Sequence, residues 1–302
     1  MTECTYEAAL DASEKVNWAV DDLIGGDRRL DFARPFLPDS LARTAAAPGL
    51  TDGERLTLNQ IRAHDYLCTF GLVEEFILPF VLDHVRPHLS GDDHRVRAFL
   101  NFAAEEAKHI HLFKRFRDEF RAGFGSDCAV IGPPEAVAKA VLAHDPLAVA
   151  LLILHIEWMT QRHFVDSVRD DRGLDPQFRS LLRHHWMEEA QHARLDTLMV
   201  HALAEGRTPE RVASALDEYL QMGAMFDEAF RQQAELNAAA LVRATGCGLT
   251  AAGRALLVEQ QHQALRWTFL GSGMTHPEFL ATLGSLGPAA RARVEAVAPA
   301  FC

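Results

Sequence analysis

The chain is poor in the features that would place it outside the ordinary globular class. Only 5 of its 302 residues are cysteine. Cys4, Cys68, Cys128, Cys247 and Cys302 contain no C-x-x-C pair, so neither a disulfide framework nor a thiolate metal cage is expected. Long hydrophobic runs are missing as well. The longest near the middle, residues 146–154, is broken by His155 and Glu157, well short of the ~20 residues a membrane span needs. The opening residues MTECTYEAALDASEK carry acids where a secretory signal would need an apolar stretch. A reducing cytoplasm is therefore the expected compartment. Positive charge is also short: 30 Lys and Arg stand against 42 Asp and Glu, for a formal charge of -12. An acidic surface of that size repels phosphate backbones and anionic lipid, so neither nucleic acid nor membrane is expected as a partner.

What remains is a chain 48% hydrophobic and 24% charged, long enough to bury a large core. Strand patterns are almost absent, and from Thr51 onward apolar residues recur with helical period between turn clusters. Helices are expected over 51–85, 91–121, 146–169, 175–204, 208–244 and 249–270, followed by a short C-terminal pair. Thr51 or Asp52, Ser90, and Asp145 before Pro146 are the expected caps. Residues 1–50 read as a helix over 6–24 and an extended arm packed on the rest. Residues 51–302 read as one helical domain, with a core bundle over about 51–205 and flanking helices over about 206–302. The expectation is an all-α fold, a four-helix bundle with additional flanking helices.

Function is signalled by acids and histidines set into apolar helix faces. The second long helix holds Glu105-Glu106-Ala107-Lys108-His109 and the fourth holds Glu188-Glu189-Ala190-Gln191-His192, each an E-x-x-H. Residues three apart on a helix share a face, so Glu106 with His109, and Glu189 with His192, can each direct an oxygen and a nitrogen to one metal. A single E-x-x-H arises by chance in an acidic chain with 15 histidines. Helical projection separates these two from a solvated face. Phe99, Phe102, Ala103, Ile110 and Phe113 lie on the side of Glu106, and Leu182, His185, Trp186 and Asp196 lie on the side of Glu189. Glu105 and Glu188 then fall to solvent or salt-bridge roles.

The other two long helices each contribute one acid. Glu157 sits in LLILHIEWMTQRHF, surroundings too costly for a bare carboxylate unless a cation or a hydrogen bond meets it. In the first helix the choice is between Glu74 and Glu75. If Arg55, Asn59, Arg62 and Thr69 mark the solvent side, Glu75 lies nearly opposite them, level with Gly71, Cys68 and Leu82, and Glu75 is the residue chosen. One Glu from each of two helices plus an E-x-x-H from each of the other two is the ligand set of ferritin-like proteins with a dinuclear carboxylate site. Oxygen and nitrogen donors without thiolate favour two Fe ions, with Mn as the alternative. His185, four residues before Glu189, is a seventh candidate ligand. Asp196, one turn beyond His192, is a candidate acceptor for a ligand histidine or a partner for an arginine.

The order Glu75, Glu106-x-x-His109, Glu157, His185-x-x-x-Glu189-x-x-His192 resembles the p-aminobenzoate N-oxygenase family of di-iron oxygenases. So do the stretches LNQIRAHDYLCTFGLVEEFILPF, NFAAEEAKHIHLFKRF and HHWMEEAQHARLD. The resemblance covers roughly residues 50–205. It implies a di-iron site that reduces O2 to a peroxo species and oxidises an amine nitrogen of a small-molecule substrate. No flavin or nicotinamide fingerprint is present, so an external electron donor is expected, and a homodimer is a common outcome for bundles of this size. Rival readings are a carbon hydroxylase or desaturase, and a ferritin-like iron-binding protein. A radical subunit would need a tyrosine near the metal, and the residue one turn after His109 is Phe113, with Tyr6, Tyr66 and Tyr219 the only tyrosines.

Overall fold

Thr51 opens the first long helix with a reciprocal cap: its hydroxyl accepts from the Glu54 N–H at 3.3 Å, and the Glu54 carboxylate accepts from the Thr51 N–H at 2.7 Å. The computed structural model describes residues 5–302. Among these, the extended backbone pairs in one isolated bridge, Gly25 with Arg28. Helices α1 (Tyr6–Ser13) and α2 (Asp39–Ala42) belong to the N-terminal arm. The long helices α3 (Asp52–Val85) and α4 (Asp93–Phe124) follow, then short α5 (Pro134–Val141). Next come α6 (Pro146–Arg162) and α7 (Pro176–Ala204). The remainder is α8 (Pro209–Thr245), α9 (Ala251–Arg266), α10 (Ser272–Met274), α11 (Pro277–Leu286) and α12 (Pro288–Val297).

Helices α3 and α4 pack as one pair and α6 and α7 as the other, giving a ferritin-like four-helix bundle. Helix α8 lies across α3 and α6, α9 packs on α8, and α1 rests on α4 and α7. The core runs continuously from Leu10 through Phe76, Phe113, Ile153 and Met199 to Phe230 and Leu283. No helix of the described residues is long and apolar enough to cross a membrane. Cys68, Cys128, Cys247 and Cys302 are free thiols, and Cys4 lies outside the described residues.

Several local details depart from the expectations. Helix α1 stops at Ser13 instead of reaching Ile24, because the chain turns away there and delivers Trp18 to the side of the bundle. Helix α4 is capped by Asp92, whose carboxylate accepts from His94 N–H at 3.0 Å, and not by Ser90. The helix after Pro146 widens into a π-helical turn at His163–Val168. A second π-helical turn, Trp267–Gly271, follows α9. Here the chain comes so close to α6 that a Cβ on Gly273 would fall 2.2 Å from the His155 ring.

The side of α3 expected to face solvent is in fact covered. Asn59, Arg62 and Thr69 are all buried. Asn59 accepts from the Phe36 N–H at 2.8 Å and donates to Leu37 O at 2.7 Å, fastening the arm to α3. Arg62 is fully enclosed and bonds both oxygens of Asp65 at 3.0 and 2.9 Å, while Asn237 of α8 bonds the same carboxylate. Polar side chains here secure a helix surrounded by protein, although Arg62 Nε and Nη2 remain without hydrogen-bond partners.

Candidate metal centre

The face of α3 that points into the bundle carries Glu74, which is 2% exposed. Glu75 is half-buried on the flank, on the side of Leu82, which is 40% exposed. The expectation for Glu75 fails because its premise fails: Asn59, Arg62 and Thr69 do not mark a solvent side, so the point opposite them is not the interior.

Two groups of four donors meet between the four long helices. Glu74, His109, His185 and Glu189 form one, with all donor atoms within 4.8 Å of one another, and Glu106, His109, Glu189 and His192 form the other. In the first, His185 Nε2 lies 3.2 Å from Glu74 Oε1 and 2.8 Å from Glu189 Oε1. In the second, His192 Nδ1 lies 3.0 Å from Glu106 Oε1 and 3.4 Å from Glu189 Oε2. His109 Nδ1, 3.1 Å from Glu189 Oε1, stands between them. Glu157 belongs to neither group, but it is fully buried and its carboxyl hydrogen-bonds that of Glu189. Of the seven residues named from sequence, the structure brings together Glu106, His109, His185, Glu189 and His192, sets Glu157 beside them, and leaves Glu75 outside.

The outer edges of two histidines are held by Glu105 and Glu188, the acids expected in solvent or salt-bridge roles, and the pairing role is the one they take. His109 Nε2 donates to Glu188 Oε2 at 2.9 Å, and His192 Nε2 donates to Glu105 Oε2 at 2.7 Å. The bracing is reciprocal, since α4 supplies Glu105 to the histidine of α7 and α7 supplies Glu188 to the histidine of α4. Ser13 of α1 donates to the second oxygen of Glu105 at 2.7 Å, and Lys108 bonds the second oxygen of Glu188. Although burial pushes the other way, the hydrogen bonds from His192 and Ser13 hold the Glu105 carboxyl below its usual range, so it is an ionised acceptor. An acid on the outer nitrogen fixes the ring so that the other nitrogen faces inward, the arrangement typical of metal-binding histidine. The doubled Glu-Glu in both motifs was the available signal. Trp18 stacks on the outside of His109 at 6.2 Å, with Lys108 Nζ 4.0 Å above its ring.

Asp196 does not take the accepting role expected of it, because Glu105 and Glu188 already occupy the outer nitrogens. It is fully buried, and neither of its oxygens accepts a hydrogen bond. Burial, reinforced by Glu106 and Glu189 and opposed by His192, holds its carboxyl well above the usual range. His163 is a packing residue, buried between the Tyr66 hydroxyl and Ser272 Oγ at 3.0 Å each, and burial pushes its pKa down to about 3. His111 is exposed.

The donor set fits a pair of divalent cations. Glu74 Oε2, both Glu106 oxygens, His109 Nδ1, Glu189 Oε1 and His192 Nδ1 are buried without hydrogen-bond partners. Orphaned atoms at this density are rare in native interiors unless an ion satisfies them. Electrostatics agree: despite burial, the surrounding carboxylates hold His109 and His192 well above the usual imidazole range, so these acids stabilise positive charge where they converge.

The family profile described as p-aminobenzoate N-oxygenase AurF matches residues 3–243. The chain belongs to this family. That places the bundle, the two E-x-x-H motifs and α8 within one matched unit and makes the protein an enzyme of the di-metal oxygenase or oxidase class. Comparison with curated proteins finds no match. Solved structures similar to this member of the AurF family include a variant of the R2-like ligand-binding oxidase with an aerobically reconstituted Fe/Fe cofactor, at 15% identity and TM-score 0.45, covering 86% of this chain and 92% of that one. Another, with an anaerobically reconstituted Mn/Fe cofactor, has 15% identity and TM-score 0.44 with the same coverage.

Next to the centre, across Phe70, lies a small apolar cavity of about 20 Å³. Phe70, whose ring packs edge-on against His185 at 5.2 Å, forms its floor together with Val73 and Ile156, the neighbours in sequence of Glu74 and Glu157. Phe226 and Phe230 of α8 and Phe269 of the second π-helical turn close the far side. The flanking helices therefore wall one side of this cavity with three aromatic residues.

Proposed function

We propose that this protein is a non-haem di-iron monooxygenase that N-oxygenates a small-molecule amine. Glu74, Glu106, His109, His185, Glu189 and His192 would hold two Fe ions, with Mn as the chemical alternative, and Glu157 would complete the set. When bound, two ferrous ions supply the electrons and open coordination positions that O2 chemistry requires. The observation that carries the reading is the pair of four-donor groups sharing His109 and Glu189.

The chain's own residues divide the remaining work. Glu105 and Glu188 accept the outer N–H of His192 and His109 and so orient both rings with the inner nitrogen facing the position a metal would take. Glu157, buried and hydrogen-bonded to Glu189, can hold a proton at its carboxyl; burial, reinforced by Glu189, keeps it well above the usual carboxyl range. Phe70, Ile156 and the aromatic wall of α8 keep water, with the protons and side reactions it brings, away from this side of the centre. An external donor would supply electrons for further turnovers.

The test is to purify the protein after iron-replete expression, determine metal per chain, and supply O2, a chemical reductant and a set of arylamines. About two ions per chain and an N-hydroxylated or nitro product identified by mass are expected. Two ions per chain with oxidation confined to carbon would retain the di-iron centre and remove the N-oxygenase assignment. One ion or none would remove both.

A further inference from the structure

The outer edges of both braced histidines are reached from the N-terminal arm. Asn101 Nδ2 donates to Ser13 Oγ at 3.4 Å, which leaves the Ser13 hydrogen for Glu105 Oε1 at 2.7 Å, while Glu105 Oε2 accepts from His192 Nε2 at 2.7 Å. Ser13, Glu105 and His192 are all buried, so this relay is closed to water. The second relay is built from other groups. Trp18 lies within 9° of parallel to the His109 ring, and Lys108 Nζ sits 4.0 Å from the centroid of the same indole. Lys108 bonds Glu188 Oε1, and Glu188 Oε2 accepts from His109 Nε2 at 2.9 Å. The indole attracts the ammonium through its π face and covers it on one side, which keeps it on a carboxylate that is fully buried.

Ser13 and Trp18 meet the bundle together only because α1 ends where it does. Five residues apart on one continuous helix, they would stand about 140° apart around the axis and could not both face α4 and α7. Instead the chain turns, with Lys15 N–H donating to Ala12 O at 3.2 Å and Val16 N–H to Ser13 O at 3.0 Å. Trp18 then comes to lie beside His109 and edge-on to His184. We propose that Ser13 and Trp18 are positioning residues of the metal centre, Ser13 setting His192 through Glu105 and Trp18 setting His109 through Lys108 and Glu188. The inference rests on the reading of the convergent donors as a metal site. The relays are unequal in charge: a neutral hydroxyl leaves Glu105 its full negative charge, whereas the Lys108 ammonium offsets that of Glu188. Without the Ser13 hydroxyl, a buried carboxylate oxygen loses its partner, and Glu105 is free to turn and take the His192 ring with it. Without the Trp18 indole, Lys108 moves toward water and Glu188 loses the cation that holds it.

The first measurement needs no metal. In the metal-free full chain carrying isotope-labelled histidine, nuclear magnetic resonance reads the Nε2–H proton of each braced ring, with Glu105→Gln and Glu188→Gln assigning the two signals. Ser13→Ala is expected to move the His192 signal and leave that of His109 in place. Trp18→Leu should do the reverse, and Lys108→Met, which keeps the side-chain length and removes the charge, should repeat the Trp18→Leu shift. An arm that merely supports the fold would move both signals together or neither, and either pattern would overturn the proposal. The second measurement is metal affinity in competition with a chelator. Ser13→Ala and Trp18→Leu should each lower it by about three- to tenfold, the order of one hydrogen bond or cation–π contact. Affinity unchanged in both would overturn the proposal as well. Elemental analysis of the unsubstituted protein tests the metal site separately. No bound metal would remove the proposed function, while the two signals would still show whether each relay acts on its own histidine.

Discussion

The two halves of the centre are built differently. On the α4–α7 side, His109 and His192 are clamped at both ends, inward by the converging donors and outward by Glu188 and Glu105. On the α3–α6 side, Glu74 and Glu157 contribute one buried carboxylate each, with no braced histidine beside them. A braced histidine has one orientation available, whereas a carboxylate can change how it holds an ion at little cost. The difference points to a division of labour across the bundle: the braced histidines of α4 and α7 would fix where metals sit, while α3 and α6 would each add a carboxylate.

The largest effect should come from striking the anchor. Glu189→Ala removes the residue shared by both four-donor groups, and metal analysis is expected to find neither ion retained after gel filtration; two retained ions would show that the groups do not hold metal. Next, Glu74→Gln should lower metal content toward one ion per chain, whereas Glu75→Gln, on the flank, should leave it unchanged. The reverse pattern would restore the sequence-based choice. Glu105→Gln and Glu188→Gln spare every inward donor and should weaken metal affinity by roughly 10- to 100-fold in competition with a chelator, as the loss of an outer hydrogen-bond partner typically does. Unchanged affinity in both would mean that the two halves are not differently built.

The smallest effect concerns histidines outside the centre. His155 is fully buried between the Tyr219 hydroxyl and Phe269 O, and burial lowers its pKa to about 4. Unfolding frees it to take a proton at its ordinary value near 6.5. Its contribution is therefore complete above about pH 6.5 and is lost as pH falls toward 4, by up to about 1.4 kcal/mol per pH unit. Denaturant melts of the full-length protein and of His155→Gln across that window should differ in slope, the variant being less acid-sensitive.

Much of this contrast could be read from the chain alone, and the part that could not has a physical cause. The E-x-x-H pairs declare themselves because helix α4 and helix α7 each have one genuinely wet side, so polar and apolar residues sort around the axis. Helix α3 has none along its middle: the arm covers Asn59, α8 covers Asp65, and the polar residues there are buried partners instead of solvent markers. Projection onto a helical wheel assumes a wet side, and it put Glu75 in place of Glu74 for want of one. The braces were missed for a different reason. Glu105 and Glu188 act across helices, and the pairing of an acid with a histidine 87 or 79 residues away leaves no trace in local spacing. The bundle, its flanking helices and most of the caps were legible because capping chemistry is local.

Asp175 adds a consequence for how the molecule is made. Its carboxylate caps α7 through the Phe178 N–H at 2.6 Å and also accepts from the Asp31 N–H at 2.9 Å, while its own N–H donates to Pro35 O at 2.9 Å. The arm is thus tied down by a residue that lies 144 positions later. At a synthesis rate of about 5 to 20 residues per second, the arm leaves the ribosome roughly 7 to 30 seconds before its clasp exists. During that interval Phe36 and Leu37, both wholly buried in the finished protein, can meet Asn59 of α3 but lack the α7 wall that Phe178 supplies. A segment translated before α7 is thus among the last to settle, and the chain carries it without this clasp while the 144 residues up to Asp175 are made.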